Sequence, residues 1–174
     1  GNTRWAAIKL ASATHERLID IAEEMRKWKL SGEKSAEPFI LQEGERLGFV
    51  FPVHGWRVPR LVRNFISQLH IASPKEPVFA YAVCTAGDSI GLTIENLNNT
   101  IAANTSLKNI GIQQVSSAYS LIMPESYVGL PFMDVDPKEK EIRKKEKSAL
   151  ELEVICEEVF NRKEGVNRLV KGPI

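Results

Sequence analysis

This chain is short of most features that announce a function. Only two of its 174 residues are cysteine, Cys84 and Cys156, and they form no CxxC or metal-spaced cluster. That argues against a disulfide scaffold and a cysteine-built metal centre, and suits a reducing cytoplasm. Charge of either sign is not in surplus. A net charge of +1 gives no electrostatic argument for nucleic acid or a polybasic membrane contact. No apolar run approaches the ~20 residues of a membrane span, and no secretory leader is legible. There is no lysine in a glycine-rich phosphate loop, no complete GxGxxG, no Ser/His/Asp constellation and no paired-carboxylate site. What is present is ordinary: 43% apolar and 26% charged residues, enough for one globular domain with a sizeable core and some extra length.

Periodicity supplies the organisation. Asn2 to about Ala13 reads as a helix, with Trp5, Ile8 and Ser12 at helical spacing. Arg17–Ile21 is a short β-branched run that reads as a strand, and Glu23–Lys29 as a helical turn. Ser31–Ala36 reads as loop, and Phe39–Leu41 as a short or edge strand. Leu47–Phe51 is almost continuously apolar, as a strand buried on both faces would be. Pro52 ends it, His54–Arg57 forms an abrupt loop, and a helix runs from Val58 to about His70 with Leu61, Val62, Phe65, Ile66 and Leu69 facing inward. Pro77–Cys84 is a second buried strand, followed by a helix from about Ile90 to Ala103. A last strand lies within Ile112–Met123, with loop at 125–135. Asp136 then caps a long charged helix with Pro137 in its first position. Its Lys138–Lys147 part is a solvated face, and Ala149, Leu150, Leu152, Val154, Ile155 and Val159 are its apolar positions. Buried strands alternating with helices predict an α/β fold with a parallel sheet covered on both sides.

In such sheets ligands bind beyond the carboxyl ends of the strands, which singles out three segments. Gly1, Asn2 and Thr3 open the first helix. They form either an ordinary cap or an anion site of unpaired amides. In the loop after the first buried strand, Trp56 either stacks on a flat ligand ring or folds over the sheet edge. Thr85, Ala86, Gly87, Asp88 and Ser89 either leave room and main-chain donors for a ligand or form a plain turn with Asp88 or Ser89 as helix cap. Cys84 reads as a small buried hydrophobe. His15 and His70 read as surface or helix-end residues.

Together these segments resemble a known pattern. Gly1-Asn2-Thr3-Arg4 is similar to the end of the flavodoxin phosphate loop. Gly48–Trp56, followed by Val58-Pro59 and a helix, resembles the second flavin loop of a bacterial flavodoxin-like family whose members often carry a C-terminal ferredoxin module with two 4Fe–4S clusters. Tyr81–Gly87 resembles its third loop, and the strand running into Met123–Tyr127 also fits. The resemblance covers roughly residues 1–165, and its second loop is the most specific part. It implies a flavodoxin-like three-layer sandwich with a parallel sheet in the order 2-1-3-4-5, FMN as cofactor, electron transfer as activity and a ferredoxin-type module as redox partner. Gly1, Asn2 and Thr3 would hold the phosphate. Pro52, Val53, His54, Gly55 and Trp56 would flank the isoalloxazine, with Trp56 or His54 nearest. Thr85–Ser89 would face the pyrimidine side.

The pattern departs from the family in two places. The first strand, central in that order, is missing in front of Gly1. The resemblance therefore implies a fragment or a shortened gene model, which still folds if strands 2 and 3 pair directly and should then bind FMN poorly. The chain also closes without a cysteine cluster, so its own residues build no iron–sulfur centre. Residues 1–135 are the expected flavodoxin-like domain, and 136–174 a charged helical extension that packs on it or leaves it. A flavodoxin-fold interaction module that has lost its flavin is the alternative.

Overall fold

The computed structural model describes residues 1–30, 38–72, 77–123 and 138–173. In chain order the elements are α1 (Asn2–Thr14), α2 (Ile21–Leu30), β1 (Phe39–Ile40), β2 (Leu47–Pro52), α3 (Arg60–Gln68), β3 (Ile71–Ala72) and β4 (Ala80–Ala86). They continue with α4 (Thr93–Ala102), α5 (Thr105–Asn109), β5 (Ser117–Ile122), α6 (Lys138–Phe160) and β6 (Asn167–Arg168). The main sheet is parallel throughout, in the order β2-β4-β5-β6.

The alternation of side chains along β4 shows why three layers form. Tyr81 and Val83 point to one face. There they join Phe79, Tyr119 and Leu121 under Ala6 and Leu10 of α1 and Leu152, Ile155 and Val159 of α6. Ala80, Ala82 and Cys84 point to the other face, under Val62, Phe65 and Ile66 of α3 and Ile94, Leu97 and Ile101 of α4. The result is the three-layer α/β sandwich expected of a flavodoxin-like fold, with β2, β4 and β5 side by side as its strands 3, 4 and 5 would be.

Several local expectations are corrected. Arg17–Asp20 is not a strand. Glu23 N–H donates to Asp20 Oδ1 at 3.1 Å, so Asp20 caps α2 and the β-branched run is overridden by an Asp-x-x-Glu helix start. In α1 the buried stripe is Ala6, Leu10 and Thr14, while Ile8 and Ser12 are exposed and Trp5 is half-buried. Ala6 and Leu10 of that stripe pack in one cluster with Leu152, Ile155 and Val159 of α6. Leu61 is exposed, although Val62, Phe65 and Ile66 of α3 and Leu69 just past its end are buried. In α6 Leu152, Ile155 and Val159 are buried, but Leu150 and Val154 face solvent. The expected Asp136 cap, Pro137 and the 125–135 loop lie outside the described residues, as does the loop at 31–36.

The two sheet edges differ from expectation in opposite ways. Beyond β5 an unexpected strand, β6, is added from the C-terminal extension. It follows α6, which packs on α1 and β5. At the other edge β2 has no further neighbour among the described residues. The direct pairing of strands 2 and 3 does not occur, because β1 pairs with β3 in a separate two-stranded ladder. Leu47 N–H donates to Phe79 O and Val53 N–H to Thr85 O, each at 2.9 Å. By the two-residue period the backbone N–H and C=O groups of the odd positions of β2 therefore face β4, and those of Gly48 and Val50, with the Pro52 nitrogen, face the open edge. Proline there removes a donor that would have had no partner.

Arg46 locks the base of β2. Its side chain is 6% exposed and donates to Glu16 Oε1 at 2.8 Å, Val159 O at 2.9 Å and Phe160 O at 2.6 Å. One guanidinium thus ties the ends of α1 and α6 to the start of the edge strand, satisfying the Phe160 carbonyl and adding a second donor to that of Val159, which also accepts from Arg162 N–H at 3.0 Å.

Candidate functional site

The carboxyl ends of β2 and β4 open into two loops that meet through one tryptophan. After Pro52 the chain makes a two-residue hairpin. His54 N–H donates to Arg57 O at 3.0 Å and Arg57 N–H to His54 O at 3.1 Å. Its central residues, Gly55 and Trp56, have φ of 55° and 59°. Both are positive, as a type I′ turn requires. Glycine adopts this region freely, whereas a bulky side chain does so at roughly 1–2 kcal/mol. Trp56 accepts that cost and still leaves 65% of its surface exposed. The loop's exit is pinned by Val58 N–H donating to Asn96 Oδ1 at 3.1 Å, with Val58 itself buried.

The third segment, Thr85–Ser89, does not cap α4. The helix starts only at Thr93, whose hydroxyl is bonded to Ile90 O. Ser89 is turned instead toward the tryptophan, and its Oγ accepts from Trp56 Nε1 at 3.3 Å. Gly91, at φ 54°, packs against the same side chain so closely that a Cβ there would lie 2.8 Å from Trp56 Cβ. On the neighbouring side, Thr3 Oγ1 of α1 lies 2.8 Å from Thr85 Oγ1 at the end of β4. The N-terminus of α1 is thereby brought to the sheet's carboxyl edge. The first intrahelical bond of α1 is Trp5 N–H to Gly1 O, so the amides of Asn2, Thr3 and Arg4 carry no helical partner.

The expected residues therefore divide. Thr3 meets Thr85, Val53 is bonded to the Thr85 carbonyl, and Trp56 meets Ser89. Ala86 accepts from Met123 N–H at 2.8 Å, which fixes the strand end. Pro52 and Gly87 are half-buried on the loops, and Gly1, Asn2, His54, Gly55 and Asp88 are exposed. The side chains of Asn2, His54 and Asp88 make no hydrogen bond among the described residues. Gly91, Asn96 and the tail at Val170–Gly172, which lies on the Ile90 and Gly91 amides, belong to the site but were not foreseen. An isolated glycine between strand and helix was the one legible sign.

Other chemistry is constrained. Cys84 is fully buried and its thiol contacts Tyr119 O at 3.6 Å. Burial pushes its pKa up to about 12, which keeps it an inert thiol at neutral pH. Among the described residues no three His, Cys, Asp or Glu side chains cluster to hold a metal. No described helix is long and apolar enough to cross a membrane. A groove of about 450 Å³ lies at the opposite end of the sheet, lined by Gly111, Gln114, Ser116 and Glu164 among others. It is remote from the loops after β2 and β4.

Fold and loops together define a parallel α/β protein whose second and third loops meet at the carboxyl edge of the sheet. Comparison with protein-family models, curated proteins and solved structures finds no match for this chain.

Proposed function

We propose that this chain is a flavodoxin-like domain that binds FMN and transfers electrons in the cytoplasm, exchanging them with a ferredoxin-type redox partner. The observation that carries the reading is Trp56. A large aromatic is held in left-handed backbone at a hairpin tip, exposed, between a loop of small residues and the start of a helix. Local preference would not put it there, and unfavourable backbone that persists is concentrated at functional sites. The donor set also suits the ligand. The α1 amides, with the one hydroxyl proton that Thr3 and Thr85 do not spend on each other, offer donors of the kind a phosphate takes, and the helix dipole favours the charge. The exposed indole offers a flat face for a ring. FMN when bound supplies the redox chemistry, accepting and returning one or two electrons. The residues of this chain anchor the phosphate, stack on the ring and set its surroundings.

One observation favours a second reading, an interaction module of the same fold without flavin. The Ile90 and Gly91 amides, which lie just past the third loop, are already taken by the carbonyls of Val170 and Lys171. Absorption of the purified protein, followed by titration with FMN under tryptophan fluorescence, separates the two. Flavin bands, or quenching that saturates and is lost in Trp56→Ala, support the first reading. A colourless protein whose fluorescence ignores FMN refutes it and leaves the interaction module.

A further inference from the structure

We infer that the C-terminal tail is a working wall of the candidate site, with Gly172 and Ser89 acting as positioning residues for Trp56. The tail's path is set by hydrogen bonds. Gly165 N–H donates to Ser116 O at 2.8 Å, Ala118 N–H to Val166 O at 2.8 Å, and β6 then runs beside β5. Val170 N–H donates to Ser120 Oγ at 2.9 Å. The tail next crosses from the sheet to the third loop, where Ile90 N–H donates to Val170 O at 2.9 Å and Gly91 N–H to Lys171 O at 3.0 Å. Lys171 Nζ is ion-paired with Glu95 on α4. Gly172, at φ 77°, lies so near Ser89 that a Cβ would stand 2.7 Å from its Oγ and 2.8 Å from its Cβ.

The two residues through which the third loop meets the indole are Ser89, by its hydroxyl, and Gly91, by its backbone. Both are residues the tail holds. Its last turn therefore fixes the side of the loop on which Trp56 rests, and a displaced tail removes both supports together. The Trp56 backbone is intrinsically disfavoured, so this external support decides where the ring points. The ligand consequence rests on the proposed flavin reading: the tail sets the plane on which a flat ring stacks, and so contributes to selection of planar heteroaromatic ligands. The mechanical link from tail to tryptophan stands without it.

The test is 19F NMR of the full chain labelled with 5-fluorotryptophan, with the Trp56 signal assigned by its loss in Trp56→Phe. Gly172→Ala and Ser89→Ala should each shift or broaden the Trp56 resonance while those of Trp5 and buried Trp28 stay in place. An unmoved Trp56 resonance in Gly172→Ala overturns the inference, even where Ser89→Ala, which removes the indole's direct partner, shifts it. If Gly172→Ala disturbs the Trp28 signal and so reports unfolding, Lys171→Met takes its place. It adds no atom near Ser89, and it must still move Trp56. Titration of the same samples with FMN tests the ligand arm. Loss of a hydrogen-bonded support should weaken binding roughly three- to tenfold in the Ser89→Ala variant. Equal affinity despite a moved Trp56 overturns the tail's role toward the ligand. No binding by the parent protein refutes the flavin reading alone, because the tryptophan shift is read independently.

Discussion

Replacing Gly48 by alanine tests the packing of the edge strand, because two effects of opposite sign compete there. Gly48 lies in β2, opposite Tyr81 in the register with β4, on the side that faces α1 and α6. If only the exposed backbone mattered, alanine would stabilise the strand by roughly 0.5–1 kcal/mol, since glycine loses more freedom on folding. The structure opposes this. A Cβ at Gly48 would stand 2.3 Å from Tyr81 Cζ and 2.5 Å from its hydroxyl oxygen. The Tyr81 ring has little room to retreat: it is 5% exposed, stacked against Phe79 with centroids 6.0 Å apart, and belongs to the cluster with Val83 and Tyr119. Overpacking of this kind costs about 1–3 kcal/mol. The balance is a net loss of about 0–2.5 kcal/mol, centred near 1, after the propensity gain is subtracted. In a chain of this length that lowers the melting midpoint by roughly 2–4 °C per kcal/mol. Thermal and urea unfolding of Gly48→Ala, Tyr81→Ala and the double variant measure it. The alanine penalty should vanish or reverse when the ring is removed. A stabilised Gly48→Ala, or a penalty that persists unchanged without the ring, refutes the reasoning.

Three further outcomes follow from the same geometry. Amide exchange along β2 should alternate, with Gly48 and Val50 fast and Phe49 and Phe51 slow; equal protection would mean that the edge is covered. Arg46→Met should cost about 2 kcal/mol in urea unfolding, because it takes the guanidinium from the half-buried Glu16 carboxylate, which keeps only the residue 46 amide, and from the Phe160 carbonyl; a loss below about 0.5 kcal/mol would show that solvent replaces the contacts. The third concerns acid. The Lys171 hydrogen bond holds the Glu95 carboxyl below its ordinary range. Burial pushes Glu45 up, but hydrogen bonds from Arg17 and the Gln42 amide outweigh it and leave that carboxyl lowered as well. A lowered carboxyl contributes stability that is complete above its unfolded pKa and is lost as pH falls through the folded one. The urea midpoint should therefore drop between about pH 5 and pH 3, and Glu45→Gln with Glu95→Gln should flatten that part of the profile. An unchanged slope would refute the assignment.

The parts of the fold that sequence made legible are those where one strong pattern acts alone. Leu47–Phe51 and Pro77–Cys84 have the unbroken apolar character that a doubly covered strand demands, and they adjoin as β2 and β4. Helix existence was legible wherever apolar spacing was dense, as in α3. The failures have specific causes. Arg17–Ile21 looked like a strand until the Asp20 cap and Glu23 were weighed against its β-branched residues. β6 consists of asparagine and arginine, which carry no hydrophobic signal; it exists because β5 had a free ladder and α6 delivers the chain beside it. In the site, the loops were found from their positions after buried strands. Their connections were not, because Trp56–Ser89, Trp56–Gly91 and Gly172–Ser89 are contacts between residues far apart in sequence that nothing in local spacing encodes.

The meeting of Thr3 with Thr85 and of Gly172 with Ser89 places both ends of the described chain on one rim, at opposite sides of a single short loop. A polypeptide joined to either end therefore leaves from this rim. Conversely, a short linker joining the two ends, with the chain reopened at the exposed Gly111 on the far side, would leave both packed faces intact and seal the rim with a covalent loop. Such a permuted protein would carry its access route as an adjustable part, set by linker length alone.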